Sequence, residues 1–216
     1  MVPASRRCLF ERVTLDTLGY VEFDRLLESE LVTFPRYIRH LKIHSQSVLP
    51  NTRLLSQLTS IEDLHLGFLF FNVNDGIAPL EHAFQYFRSL TRLRIFQCYF
   101  ESFNELANVL RSCVALEGLS LVETKWYNDE PESAPVMSSL PSLRHLAIQF
   151  VSHPEDVAAW LLLLHPVPAL DSFSFRTHNG GECLLQVNTF LQTVGPSLRH
   201  LDIDNAVSCP CMTLTI

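Results

Sequence analysis

Apolar residues recur along this chain in one short pattern, apolar-x-x-apolar-x-apolar, about every 27 residues. The copies begin at Phe10, Ile38, Ile61, Leu90, Leu116, Leu143, Leu170 and Leu198, at intervals of 23 to 29 residues. All 24 slots at the first, fourth and sixth positions are apolar, and of the 24 slots between them only Ala147 is. With 47% apolar residues overall, chance would fill about half of each set, so the periodicity is a property of the chain. Each copy predicts a brief strand with its three apolar side chains turned inward and its polar ones outward.

Between these strands the apolar spacing changes to that of a helix. Leu80, Ala83, Phe84 and Phe87 fall at i, i+3, i+4 and i+7, as do Phe103, Leu106, Ala107 and Leu110, and Val187, Phe190, Leu191 and Val194. Phe23, Leu26, Leu27 and Leu31 form a similar stripe, and residues 157–164 are apolar throughout. The shortest interval leaves room for only a turn or two around residues 53–58. Strand, loop, helix and loop in this length make one turn of a stack whose units cannot bury their faces alone. Helices are bulkier than strands, so the expected fold is a right-handed α/β solenoid with a concave parallel sheet and helices on the convex side. None of the prolines falls within a strand pattern, as central strands require.

The phrases Leu143-Arg-His-Leu-Ala-Ile148, Leu116-Glu-Gly-Leu-Ser-Leu121 and Leu198-Arg-His-Leu-Asp-Ile203 resemble leucine-rich repeats of the 26–29-residue class. One copy meets the longer consensus, with Leu90, Leu93 and Ile95 followed by Cys98 at the Asn/Cys position and by Phe100. That position normally hydrogen-bonds loop backbone. Thr124 can do so less well, and Leu18, Leu69, Val151 and Ala206 cannot, so about eight irregular repeats with uneven curvature are expected. The Pro-Ser-Leu-Arg-His-Leu phrases and aromatic linkers are similar to the repeat region of fungal F-box proteins. The start, Val2-Pro-Ala-Ser-Arg-Arg-Cys-Leu-Phe-Glu-Arg-Val-Thr-Leu15, resembles the junction between an F-box and its first repeat. The resemblance implies a substrate-recognition part of a cullin–RING ubiquitin ligase receptor, whose F-box binds a Skp-type adaptor. Residues 1–9 are read as the remnant of the F-box tail and 10–216 as the repeat domain. With the rest of the F-box missing, adaptor binding by this chain itself is not expected.

The third and fifth residues of each copy face away from the core. The third-position column reads Arg12, His40, Asp63, Arg92, Gly118, His145, Ser172, His200, and the fifth reads Thr14, Lys42, His65, Arg94, Ser120, Ala147, Ser174, Asp202. Copies two to four are therefore basic and copies five to seven small. The candidate partner-binding residues are His40, Lys42, His65, Arg92, Arg94, Ser120 and His145. The basic zone would accept an acidic segment of a partner protein, through the bidentate contacts arginine offers carboxylate or phosphate, and the small residues would let that segment approach. The bland alternative is that these residues simply keep an outward sheet face soluble.

Composition narrows the remaining choices. A net charge of −7 argues against general affinity for nucleic acid or anionic membrane, although the basic stripe keeps a nucleic-acid-binding repeat protein as the alternative. The longest apolar run, residues 157–164, is too short to span a bilayer, and the N-terminus lacks a secretory signal, so a soluble intracellular chain, cytoplasmic or nuclear, is expected. No phosphate loop, zinc motif or nucleophile elbow is present, so catalysis, cofactors and metal are not expected. Cys8, Cys98, Cys113, Cys183, Cys209 and Cys211 read as free thiols. Trp126 and Tyr127 open an irregular loop over residues 125–139 that either binds a partner or covers the stack. Residues 209–216 suggest a ninth strand without a polar cap, which leaves open an incomplete, non-functional fragment.

Overall fold

A computed structural model describes residues 9–29, 32–71, 78–128, 139–177 and 184–205. Ten strands run in chain order: β1 (Arg12–Leu15), β2 (His40–Ile43), β3 (Asp63–Gly67), β4 (Arg92–Phe96), β5 (Tyr99–Ser102), β6 (Gly118–Val122), β7 (Lys125–Asn128), β8 (His145–Gln149), β9 (Ser172–Thr177) and β10 (His200–Asn205). Eight form one parallel sheet, β1-β2-β3-β4-β6-β8-β9-β10, and β5 and β7 form a second. Among the described residues six α-helices complete a mixed α/β fold: α1 (Thr17–Leu27), α2 (Thr52–Ser56), α3 (Ala78–Phe84), α4 (Phe103–Arg111), α5 (Pro154–Leu163) and α6 (Leu184–Val194).

Each of the eight sequence patterns holds one strand of the large sheet. Every inward residue of the pattern from Leu15 to Phe175 is 2% exposed or less, and each such burial contributes about 1.5–3 kcal/mol. The helix stripes join the same core: Leu80, Ala83, Phe84 and Phe87, Leu106, Ala107 and Leu110, and Val187, Phe190 and Val194 are all buried. The stripe of α1 is rotated from expectation. Phe23 and Leu27 are buried with Tyr20 packed beside them, whereas Leu26 is exposed, and Leu31 lies outside the described residues. Helix starts follow local chemistry. Asp16 accepts the Gly19 N–H at 2.7 Å to cap α1, Asn51 accepts the Leu54 N–H at 3.0 Å to cap α2, and Pro154 opens α5.

The strands end by a repeated device. Phe68, Gln97, Glu123 and Phe150 take φ of 60°, 49°, 50° and 55°, in the left-handed region that non-glycine residues enter at a cost of about 1–2 kcal/mol. They occupy equivalent places after β3, β4, β6 and β8. Each donates its backbone N–H to the next strand, to Phe96 O, Val122 O, Gln149 O and Arg176 O respectively, at 2.8 to 3.1 Å. The bend turns the following residue inward, so Leu69, Cys98, Thr124 and Val151 are buried. Cys98 and Thr124 meet the expectation for this position. The Cys98 thiol donates to Phe96 O at 3.5 Å, and the Thr124 hydroxyl approaches Ile95 O at 3.3 Å and Val122 O at 3.4 Å. Leu18 is not at an equivalent place: it lies on α1, exposed.

The irregular loop begins as a strand. Lys125–Asn128 pairs in parallel with Tyr99–Ser102, because aromatic residues follow the bend in successive copies and stack across it. Phe71 and Phe100 stack at 4.9 Å, and Trp126 is 2% exposed with its Nε1–H donating to Asp156 Oδ2 at 2.8 Å. Trp126 therefore covers the stack, while Tyr127 is 69% exposed. Residues 1–8 of the expected F-box remnant, residues 129–138 of that loop and the suggested ninth strand lie outside the described residues, as do Cys8, Cys183, Cys209 and Cys211.

The gradient of burial from centre to end is testable. Leu66→Ala, in the centre, should cost about 2–5 kcal/mol in urea denaturation, whereas Leu201→Ala, at a position 46% exposed, should cost about 1 kcal/mol or less.

Candidate functional site

Parallel pairing without a register slip converts the sequence columns into physical rows. Arg12, His40, Asp63, Arg92, Gly118, His145, Ser172 and His200 are successive partners across the sheet. So are Thr14, Lys42, His65, Arg94, Ser120, Ala147, Ser174 and Asp202. Strands lie about 4.8 Å apart, so neighbours in a row are within side-chain reach. A cavity of about 650 Å³ lies over these rows from β1 to β9. All seven candidate residues, His40, Lys42, His65, Arg92, Arg94, Ser120 and His145, line it.

The two rows differ in charge balance. Asp63 stands between His40 and Arg92, with its Oδ2 3.5 Å from His40 Nδ1 and 3.5 Å from Arg92 Nε. The third-position row is thus partly neutralised from within. The fifth-position row is not: among the described residues, no carboxylate pairs with Lys42 or Arg94, which flank His65 on adjacent strands.

His65 registers that field. Burial, then His44, Arg94 and Lys42, push its pKa down from 6.5 to about 4, and Asp63 opposes this only weakly. Its Nε2 is buried without a hydrogen-bond partner, and so is Nε2 of His44. The two imidazoles meet edge to face at 5.5 Å, with His44 against Phe68 at 5.6 Å, His65 against Phe96 at 6.2 Å and Phe68 against Phe96 at 5.3 Å. Gly67 makes room for this cluster, since a Cβ there would come within 3.0 Å of the His44 ring.

The small-residue end is more engaged than its side chains suggest. His145 Nδ1 and Ser172 Oγ share a hydrogen bond of 2.9 Å. Ser174 donates to Asp202 Oδ2 at 3.2 Å and accepts from Gln149 Nε2 at 3.3 Å, and Arg176 Nη2 reaches the same Asp202 oxygen at 3.3 Å. The cavity therefore runs from a cationic end over β2–β4 to the hydroxyls of Ser172, bonded to His145, and Ser174, bonded to Asp202. Gly118 leaves the middle open, with only the Arg92 and His145 side chains near its Cβ position.

Sequence reasoning missed the His44, Gly67 and Phe96 row. The alternation runs one outward residue beyond the six-residue pattern, and carrying it to the seventh position would have exposed that row. Metal chemistry has no support among the described residues, where no three His, Cys, Asp or Glu side chains gather. Cys98 and Cys113 are buried free thiols pushed up to about 12 by desolvation, too high for thiolate chemistry at neutral pH. No described helix is long and apolar enough to cross a membrane. No protein-family model matches the chain, and no curated protein matches it either.

The depressed His65 value makes a stability prediction. Unfolded, the imidazole takes a proton near 6.5; folded, it resists until about 4. The unfolded chain therefore binds more protons between these values, and this group's contribution lowers stability as pH falls through that window, levelling off below it. Urea midpoints measured from pH 8 to 4 should fall less steeply between 6.5 and 4 in His65→Gln than in the unsubstituted protein.

Proposed function

We propose that this chain is a protein-interaction scaffold built as a leucine-rich-repeat solenoid, resembling the substrate-recognition part of an F-box receptor. Its outward sheet face binds an acidic segment of a partner by shape and charge, without chemistry of its own. The observation that carries this reading is the alignment of His40, Lys42, His65, Arg92 and Arg94 along one end of a cavity of about 650 Å³. Five basic or titratable side chains on three neighbouring strands share one carboxylate, Asp63, on that face. Two of them are arginines, whose planar forks match carboxylates. The small residues Gly118, Ser120 and Ala147 then allow an extended backbone to lie close to the sheet.

Support for the solenoid itself comes from the strand order, which follows the chain across the large sheet, and from the helices that share its core. A link to a ubiquitin ligase rests on the sequence resemblance. Nucleic acid is the weaker reading, because a chain of net charge −7 attracts a polyanion only through this local stripe.

Proximity labelling in cells supplies candidate partners, and charge reversal decides among them. Arg92→Glu with Arg94→Glu should weaken capture of a true partner at least tenfold, with only a modest fall in the urea midpoint from loss of the Arg92–Asp63 pair, since both side chains are exposed. Capture untouched by the double reversal would remove the basic end from the interface.

A further inference from the structure

Within the cationic end, three observations converge on one spot. Lys42 and Arg94 sit two strand spacings apart, about 9.6 Å, on either side of His65, and have no carboxylate partner among the described residues. Their side chains are longer than one strand spacing, so both charged ends can close on a group above His65. The imidazole between them lines the same cavity, with its Nε2 buried beside Gly67. Like charges along a row repel, so this place is unfavourable when empty.

A metal ion does not resolve it. His44 and His65 supply only two imidazoles, and Lys42 and Arg94 would repel a cation. A negative group does resolve it, because it faces two cations and a ring that becomes a third on protonation.

We propose that Lys42, His65 and Arg94 form an oxyanion subsite, in which a bound carboxylate or similar anion draws a proton onto His65. The proposal rests on the scaffold reading and specifies where on the face a partner's acidic side chain sits. The groups facing His65 are Lys42 from β2, His44 just after β2, Asp63 on its own strand and Arg94 from β4. Three of these oppose its protonation, and Asp63 favours it too weakly to compensate. An anion placed over the row offsets Lys42 and Arg94 and raises the ring's basicity, while the burial that depresses it most remains. Linkage then makes binding tighter at pH 5.5 than at pH 8.

The test uses the full chain with two probes, a blocked hexaglutamate peptide, whose own proton exchange is subtracted using His65→Gln, and inorganic sulfate, whose charge is constant from pH 5.5 to 8. Calorimetry at pH 5.5 in buffers of different ionisation enthalpy should show net proton uptake on binding. Affinity should fall from pH 5.5 to pH 8. Both effects should vanish in His65→Gln, and Lys42→Gln or Arg94→Gln should weaken binding. Should that histidine variant misfold, the His65 ring protons of the unsubstituted protein give the answer directly: their titration should move from about 4 toward 6.5 with ligand. Uptake with the peptide alone assigns the subsite to peptide carboxylates, and uptake with sulfate as well assigns it to oxyanions in general. Binding without proton uptake, with the His65 titration unmoved, overturns the subsite and leaves the scaffold reading standing. Failure of both probes to bind at either pH also overturns it, whereas the scaffold reading is judged separately by partner capture after charge reversal.

Discussion

Register in the parallel sheet is the constraint on which the other features depend. Side chains alternate faces with a period of two, so a slip of one residue would move Leu64 and Leu66 outward and bring Asp63 and His65 into the core. Burying a charge without a partner costs far more than a strand pairing gains. Every strand repeats the same demand, and the eight strands hold one frame from Arg12 to Asn205. The outward rows are straight because the inward rows are buried. A cationic end spread over β2, β3 and β4 is then a by-product of core packing, which turns residues 20 or more positions apart into neighbours.

The bends after β3, β4, β6 and β8 extend this logic. Four non-glycine residues accept left-handed backbone, which no local preference of Phe, Gln or Glu supports. Each gains a backbone hydrogen bond to the next strand and directs the following side chain into the core. The strain is tolerated because the neighbouring copies impose it collectively. The same bend starts the second sheet and places Phe68 against Phe96 and His44. A device that terminates strands thereby also builds the aromatic wall beside His65.

Sequence pattern revealed the inward and outward rows with little loss, because burial and alternation are both written residue by residue. All seven candidate side chains came together on one face for that reason. Three things were not legible. The α1 stripe was misjudged because Leu26 and Leu27 fit equally well by spacing, and only packing exposes the first while burying the second. Strand β7 was hidden because four residues of Lys-Trp-Tyr-Asn carry too little alternation to mark a strand without the partner β5. The engagement of Ser174 with Asp202, and of Asp63 with both His40 and Arg92, depends on rotamers that no sequence column encodes.

Charge balance separates what the sheet needs from what it tolerates. A solvated outward face requires polar residues, but it does not require cations of one sign on adjacent strands; an acid next to a base would serve better. The third-position row meets that preference at Asp63, whose carboxylate answers the residues on both sides. The fifth-position row departs from it across the three strands from Lys42 to Arg94, and burial together with His44 and these two cations makes its central imidazole hard to protonate. Lys42 and Arg94, two strand spacings apart and both exposed, repel each other, and salt screens that repulsion. The pleat would accept Asp or Glu at any of these three positions, as it does at Asp63 and Asp202, and the repulsion would be relieved. That run of like charge is a local cost that folding does not demand.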